Sequence, residues 1–142
     1  WHKPNPMPES VRDRCTKSHE YVFLLSKNQN YYFDVDAIKE PTRRKRSVWN
    51  VQTKPYRGSH FAVYPPELIE PCILAGSEEG DIVLDPFMGS GTTAMVAKSL
   101  GRHYMGCELH EDYGNLIKKR IGEYQPVNKL SQEPIINILD II

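Results

Sequence analysis

The sequence predicts an α/β fold built on a parallel sheet. Three observations lead there: two short apolar runs, a glycine-rich turn directly after the first, and an amphipathic helical pattern after each, so that strand and helix alternate from residue 81 to about residue 123. Such alternation implies a parallel sheet with right-handed crossovers, hence a Rossmann-like layered architecture with helices flanking the sheet. With 142 residues, 39% of them hydrophobic, the chain has material for one core, and one domain is expected. No apolar run is long enough to cross a bilayer.

The formal net charge is zero, which gives no global electrostatic pull towards nucleic acid, so any such contact must rest on local clusters. Cys15, Cys72 and Cys107 are odd in number and form no Cys-x-x-Cys pair. That pattern argues against a disulfide framework and a zinc site, and fits a reducing cytoplasm. The opening stretch, WHKPNPMPESVRDR, has neither the apolar core nor the cleavage site of a signal peptide. It starts on Trp1 rather than Met, and the expectation is a piece of a longer protein.

In chain order, residues 1–19 carry three prolines and read as an irregular connection. Tyr21-Val22-Phe23-Leu24-Leu25 is β-branched and aromatic and is expected to be a buried strand, with a further extended piece at Tyr31-Tyr32-Phe33. Residues 39–60 lack apolar periodicity, include Arg43-Arg44-Lys45-Arg46, and read as a polar loop interrupted by Val48-Trp49-Asn50-Val51. Pro65-Pro66 then open a helix whose Leu68, Ile69, Cys72, Ile73 and Leu74 follow one face, and Gly76 stops it. Asp81–Asp85 is a strand leading into Gly89-Ser90-Gly91, and Thr92 to Leu100 is a helix ending at Gly101. His103 to Cys107 is the second strand. Glu108 follows it, and Tyr113, Leu116, Ile117 and Ile121 mark a helix to about Glu123. Beyond Pro126 the signal fades, and residues 134–142 are apolar enough for a strand or a docking segment.

The chemical signal is densest at Asp85-Pro86-Phe87-Met88-Gly89-Ser90-Gly91-Thr92-Thr93, where a parallel strand ends and a helix begins, the edge at which open α/β sheets bind ligands. Glycines there let the backbone turn tightly and approach a ligand, while Ser90, Thr92 and Thr93 offer hydroxyls and helix N–H groups. Glu108 ends the next strand, where nucleotide-binding units place the acid that bonds ribose hydroxyls. A phosphate loop is not expected, since no Gly-Lys-Ser/Thr follows. Asp85 would repel a phosphate but could bond the amino group of a cationic ligand.

The run LDPFMGSGTTAMVAKSLGRHYMGCELHEDY resembles the S-adenosylmethionine-binding region of the bacterial and phage amino-methyltransferases of DNA, in the group whose catalytic motif precedes the cofactor motif. Trp1-His2-Lys3, Asn5-Pro6-Met7-Pro8, His19-Glu20-Tyr21 and HFAVYPPELIEPCILAGS extend the resemblance over nearly the whole chain, to about residue 124. It implies a partial methyltransferase fold and S-adenosyl-L-methionine as cofactor. The cofactor-binding set it implies is Asp85, Pro86, Phe87, Gly89, Ser90, Gly91, Thr92 and Glu108, with His60, Phe61 and Ala62 helping to enclose the methionine part. The activity implied is methylation of adenine N6 or cytosine N4 in double-stranded DNA, in the cytoplasm of a bacterium or from a phage genome. A second copy of the chain and a cognate restriction endonuclease are further implied partners; a membrane is not.

One departure is large. The group holds its target amine with Asp, Asn or Ser followed by Pro-Pro and an aromatic residue, and the only Pro-Pro here is Pro65-Pro66, between Tyr64 and Glu67. No catalytic residue is therefore expected in this chain, and the tetrapeptide is expected upstream of Trp1. Arg43, Arg44, Lys45 and Arg46, followed by Trp49 and Tyr56, are the candidate DNA contacts. A methyltransferase of RNA or a small molecule, and a non-catalytic binding module, are the rival readings.

Overall fold

The computed structural model describes residues 1–54 and 63–123. Five elements follow one another: α1 (Pro66–Gly76), β1 (Ile82–Asp85), α2 (Thr92–Ser99), β2 (His103–Gly106) and α3 (Glu111–Glu123). Pro65 enters α1 in an extended conformation, and Pro66 occupies the first turn, where a missing N–H costs no intrahelical bond. Ser77 closes the helix, its backbone N–H and its hydroxyl both donating to the Ile73 carbonyl, at 3.1 and 2.7 Å.

β1 and β2 pair in parallel, Ile82 opposite His103 and Asp85 opposite Gly106, with α2 as the crossover between them. The apolar side of α2 makes the core. Ile73, Met95, Val96 and Ala97 form one buried cluster, covered by Ile69, Val83, Leu100 and Tyr104. Met88, Ala94 and Ile121 form a second, with Tyr104 and Ile117 against it. Arg102 ties the layers together, donating to the carbonyls of Leu100 at 2.6 Å and Ser77 at 2.8 Å. α3 docks through Ile117 and Ile121, and Lys98 of α2 donates to the Ile121 carbonyl at 3.2 Å.

Among the described residues the two strands are covered on one face only. Val83 and Tyr104 turn towards α2, whereas Ile82 and Leu84 on the opposite face are 62% and 60% exposed. Among the described residues, no strand lies along the other edge of β1.

The buried strand expected at residues 21–25 is not there. The segment is irregular and every side chain in it is exposed, Leu25 at 87%. Residues 31–33 are likewise exposed and unpaired in any strand. An apolar run becomes a strand only when a neighbour takes its N–H and C=O groups, and no described strand lies beside either run. Conversely, the opening residues are better organised than their prolines suggest. His2 bridges antiparallel to His19 and parallel to Asn50, so three distant segments cross at one residue. The Trp1 carbonyl accepts from Glu20 N–H at 2.8 Å, and the Trp1 indole N–H donates to the Val51 carbonyl at 2.7 Å.

Gly106 marks where strand and turn approach most closely: a Cβ there would lie 2.0 Å from Met88 Cε and 2.9 Å from the Asp85 carbonyl oxygen. Gly106→Ala is expected to cost about 1–3 kcal/mol through overpacking. Gly114→Ala, in α3 with nothing within 4 Å of the new methyl, is expected to stabilise by about 0.5–1 kcal/mol. Thermal unfolding of the two variants checks this, and equal midpoints would contradict the packing at Gly106.

Candidate cofactor-binding site

The site forms where β1 runs out. Asp85 is its last residue, and residues 86–91 turn the chain into α2. Gly89 and Gly91 take the left-handed conformation, φ 53° and 81°, which a side chain would strain. At Gly91 a Cβ would also press on Ile117 at 3.2 Å. The turn is stitched to the end of β2: Met88 N–H donates to the Cys107 carbonyl at 2.9 Å, and Cys107 N–H donates to the Asp85 carbonyl at 3.1 Å.

Two carboxylates bracket the turn. Glu108 accepts from Gly89 N–H at 2.7 Å on one oxygen and from His110 N–H at 3.0 Å on the other. The His110 N–H, followed by those of Gly89 and Leu109, holds the Glu108 carboxyl below its ordinary value of 4.5. Asp85 is the better enclosed. One of its oxygens accepts from Phe87 N–H at 3.0 Å, and the other from the Thr93 hydroxyl at 2.5 Å, with the Tyr64 hydroxyl oxygen 3.3 Å away. A cleft of about 450 Å³ reaches Asp85, Tyr64 and Thr93 from the exposed edge of β1, lined along the way by Leu68, Ile69 and Leu84.

The remaining expected residues are placed unequally. Phe87 is 88% exposed, so its ring is no part of the core. Ser90 and Thr92 are buried, and their hydroxyls face Arg120 of α3 rather than solvent: Arg120 donates to Ser90 Oγ at 2.6 Å and to the Ser90 carbonyl at 2.7 Å, with Thr92 Oγ1 at 3.5 Å. Pro86 is exposed beside Phe87. His60, Phe61 and Ala62, and Tyr56, lie outside the described residues. Arg120 and Tyr64 are the participants that sequence reasoning missed. The last base of a Lys118-Lys119-Arg120 run reads as a solvated charge, and a tyrosine before Pro-Pro reads as packing; nothing in either pattern points to a turn 30 or 21 residues away.

The basic tetrad is divided. Arg43 pairs with Glu40 at 2.5 Å, and the Lys45 ammonium stands 5.1 Å over the Trp49 ring. Arg44 and Arg46 make no ion pair among the described residues, and the Arg46 carbonyl accepts the Trp49 indole N–H at 2.8 Å. Arg43, Lys45, Arg46 and Trp49 line a second cleft of about 500 Å³.

The Glu108–Gly89 bond carries a pH signature. A carboxyl lowered by folding contributes above its unfolded value and loses that contribution as pH falls through the folded one. Protection of the Gly89 amide from hydrogen exchange is expected to persist to lower pH than the titration of an ordinary glutamate would allow, and to fall as the Glu108 carboxyl protonates. In Glu108→Gln it should be about tenfold lower at neutral pH, the size of one charge-assisted bond. Unchanged protection in that variant would show that the turn does not depend on Glu108.

Residues 1–119 match the DNA methylase family, described as N6_N4_Mtase. The type II methyltransferase M.SmaI of Serratia marcescens is 55% identical over 128 residues, 85% of this chain and 44% of that protein. M.Cfr9I of Citrobacter freundii is 51% identical over 126 residues, 85% of this chain and 42% of that protein. The crystal structure of an M1.HpyAVI–SAM complex superposes with a TM-score of 0.65 at 31% identity, over 85% of this chain and 58% of that one. The chain thus spans less than half the length of these curated relatives. With its motif at the end of β1, its parallel pair and a match over residues 1–119, the chain belongs to the DNA methylase family of amino-methyltransferases.

Proposed function

We propose that these residues are the cofactor-holding part of a DNA methyltransferase that transfers a methyl group from S-adenosylmethionine to adenine N6 or cytosine N4 in double-stranded DNA. The observation that carries the reading is the pair of carboxylates, Asp85 at the end of β1 and Glu108 two residues past the end of its hydrogen-bonded partner β2, with a left-handed glycine turn against them. The donor set fits such a cofactor. Glu108 is acceptor-only when ionised and suits ribose hydroxyls, Asp85 suits an ammonium group, and the exposed ring of Phe87 offers a face to adenine. Gly89 and Gly91 leave the backbone open to close approach, and Arg120 holds Ser90 and Thr92 from behind. What Pro86, Ser90 and Thr92 contribute to a ligand in this reading is the path of the backbone. His60, Phe61 and Ala62 keep their expected part in enclosing the methionine end on the strength of the resemblance.

When bound, the cofactor supplies a methyl carbon made electrophilic by a sulfonium. The chain's own residues orient it. Fixing two reactants in line removes much of the entropic barrier, which is what two carboxylates on paired strands can do for the donor. The acceptor side lies elsewhere in this reading. No Asp, Asn or Ser precedes a Pro-Pro-aromatic sequence here, and a target base must leave the duplex and have its amine held by carbonyl acceptors before it can attack. The edge of β1, unpaired among the described residues, and the exposed Ile82 and Leu84 support a division in which further chain completes the sheet. A bacterial or phage origin, the cytoplasm, a second copy of the chain and a cognate restriction endonuclease belong to the same proposal.

Calorimetric titration tests the donor site. S-adenosylmethionine is expected to bind the 142-residue chain and to bind Asp85→Ala at least tenfold more weakly, while neither protein methylates DNA. Equal affinities would remove Asp85 from the site, and methyl transfer by the chain alone would refute the division of labour. For DNA, Arg44 and Arg46 carry the prediction, because Arg43 is already paired with Glu40. Arg44→Gln with Arg46→Gln is expected to reduce the slope of log affinity against log salt by about 1–2; an unchanged slope would place the phosphate contacts elsewhere.

A further inference from the structure

Asp85 is reached by hydroxyls from two other elements. Thr93 is the second residue of α2, and Tyr64 stands immediately before Pro65 at the entry to α1. The protons can be counted. A carboxylate only accepts, and Thr93 has a single hydroxyl proton, which goes to Asp85 Oδ2 at 2.5 Å. The close contact between the Tyr64 and Thr93 hydroxyls therefore has Tyr64 as donor and Thr93 as acceptor. Tyr64 also stands 3.3 Å from Asp85 Oδ2. The result is a one-way relay, Tyr64 to Thr93 to Asp85. Burial raises the Tyr64 phenol above its ordinary value, so it keeps its proton and its donor role at any physiological pH.

The relay is held rigidly. Thr93 is buried, with 5% of its surface exposed, on the first turn of the core helix. Pro65 confines Tyr64 to extended backbone, and Pro65 itself is buried. On its other side, Asp85 Oδ1 accepts the Phe87 N–H at 3.0 Å. Both oxygens are thus oriented before any ligand arrives, and the entropic cost of ordering the side chain is met during folding.

We infer that Tyr64 and Thr93 are positioning residues that preset the Asp85 carboxylate for the ammonium group of the methionine moiety. The inference rests on the cofactor reading above and deepens it. It makes the amino-acid end of the ligand, and not its nucleoside end, the part that senses Tyr64.

Two ligands separate that role from a merely structural one. S-adenosylmethionine carries the ammonium group; 5′-methylthioadenosine keeps the nucleoside and lacks the amino acid. Titrated into the 142-residue chain, Tyr64→Phe and Thr93→Val are each expected to lose about three- to tenfold affinity for S-adenosylmethionine and none for methylthioadenosine, with Thr93→Ser restoring the parent value. Equal losses for both ligands would mean that the two hydroxyls only hold the fold, and unchanged affinity for S-adenosylmethionine would mean that they do nothing for Asp85. Either result overturns the inference while leaving the cofactor reading intact. Failure of the parent chain to bind either ligand would overturn both.

Discussion

Two hydrogen bonds at the end of the β1–β2 pair set the geometry on which the site depends. Cys107 N–H reaches the Asp85 carbonyl at 3.1 Å, and the Cys107 carbonyl takes Met88 N–H at 2.9 Å, so the residue that follows the second strand holds both the end of the first and the turn beyond it. That stitch puts Glu108 within 2.7 Å of the Gly89 amide and leaves Asp85 facing the start of α2. It also explains Gly106: the turn packs Met88 where a side chain at 106 would stand. Sequence spacing, strand register and the placement of two carboxylates are one constraint seen at three scales.

Much of this was legible in the residues because it is local. The alternation of apolar runs with helical periodicity located β1, α2, β2 and α3 to within a residue or two, and the glycines at 89 and 91 take the left-handed backbone that a tight strand-to-helix turn demands. What was not legible depends on tertiary partners. Residues 21–25 have strand composition yet lie exposed, because a strand is defined by its neighbour and the described sheet has two members. Tyr64 and Arg120 reach the turn across 21 and 30 residues, and no pattern in sequence reports which way a tyrosine or an arginine will point. The same holds for His2, which joins residues 19 and 50 from within a proline-rich opening.

Hydroxyls show most clearly how structure reassigns sequence features. Ser90, Thr92 and Thr93 look alike in sequence as ligand-facing groups following a glycine turn. In the fold, Ser90 and Thr92 turn inward to Arg120, and Thr93 turns to Asp85. What remains open on the turn is backbone, the two carboxylates and the exposed Phe87. The basic loop divides in the same way: four consecutive cations become one ion pair, one cation over an indole, and two arginines without an acidic partner among the described residues.

The most direct test of the account is to follow backbone amide resonances of the isotopically labelled chain as S-adenosylmethionine is added. If the two strand ends form one site, the largest changes will fall together on residues 85–93 and 107–110, with little movement in residues 43–49. Changes confined to one of the two strand ends, or centred on the basic loop, would contradict it.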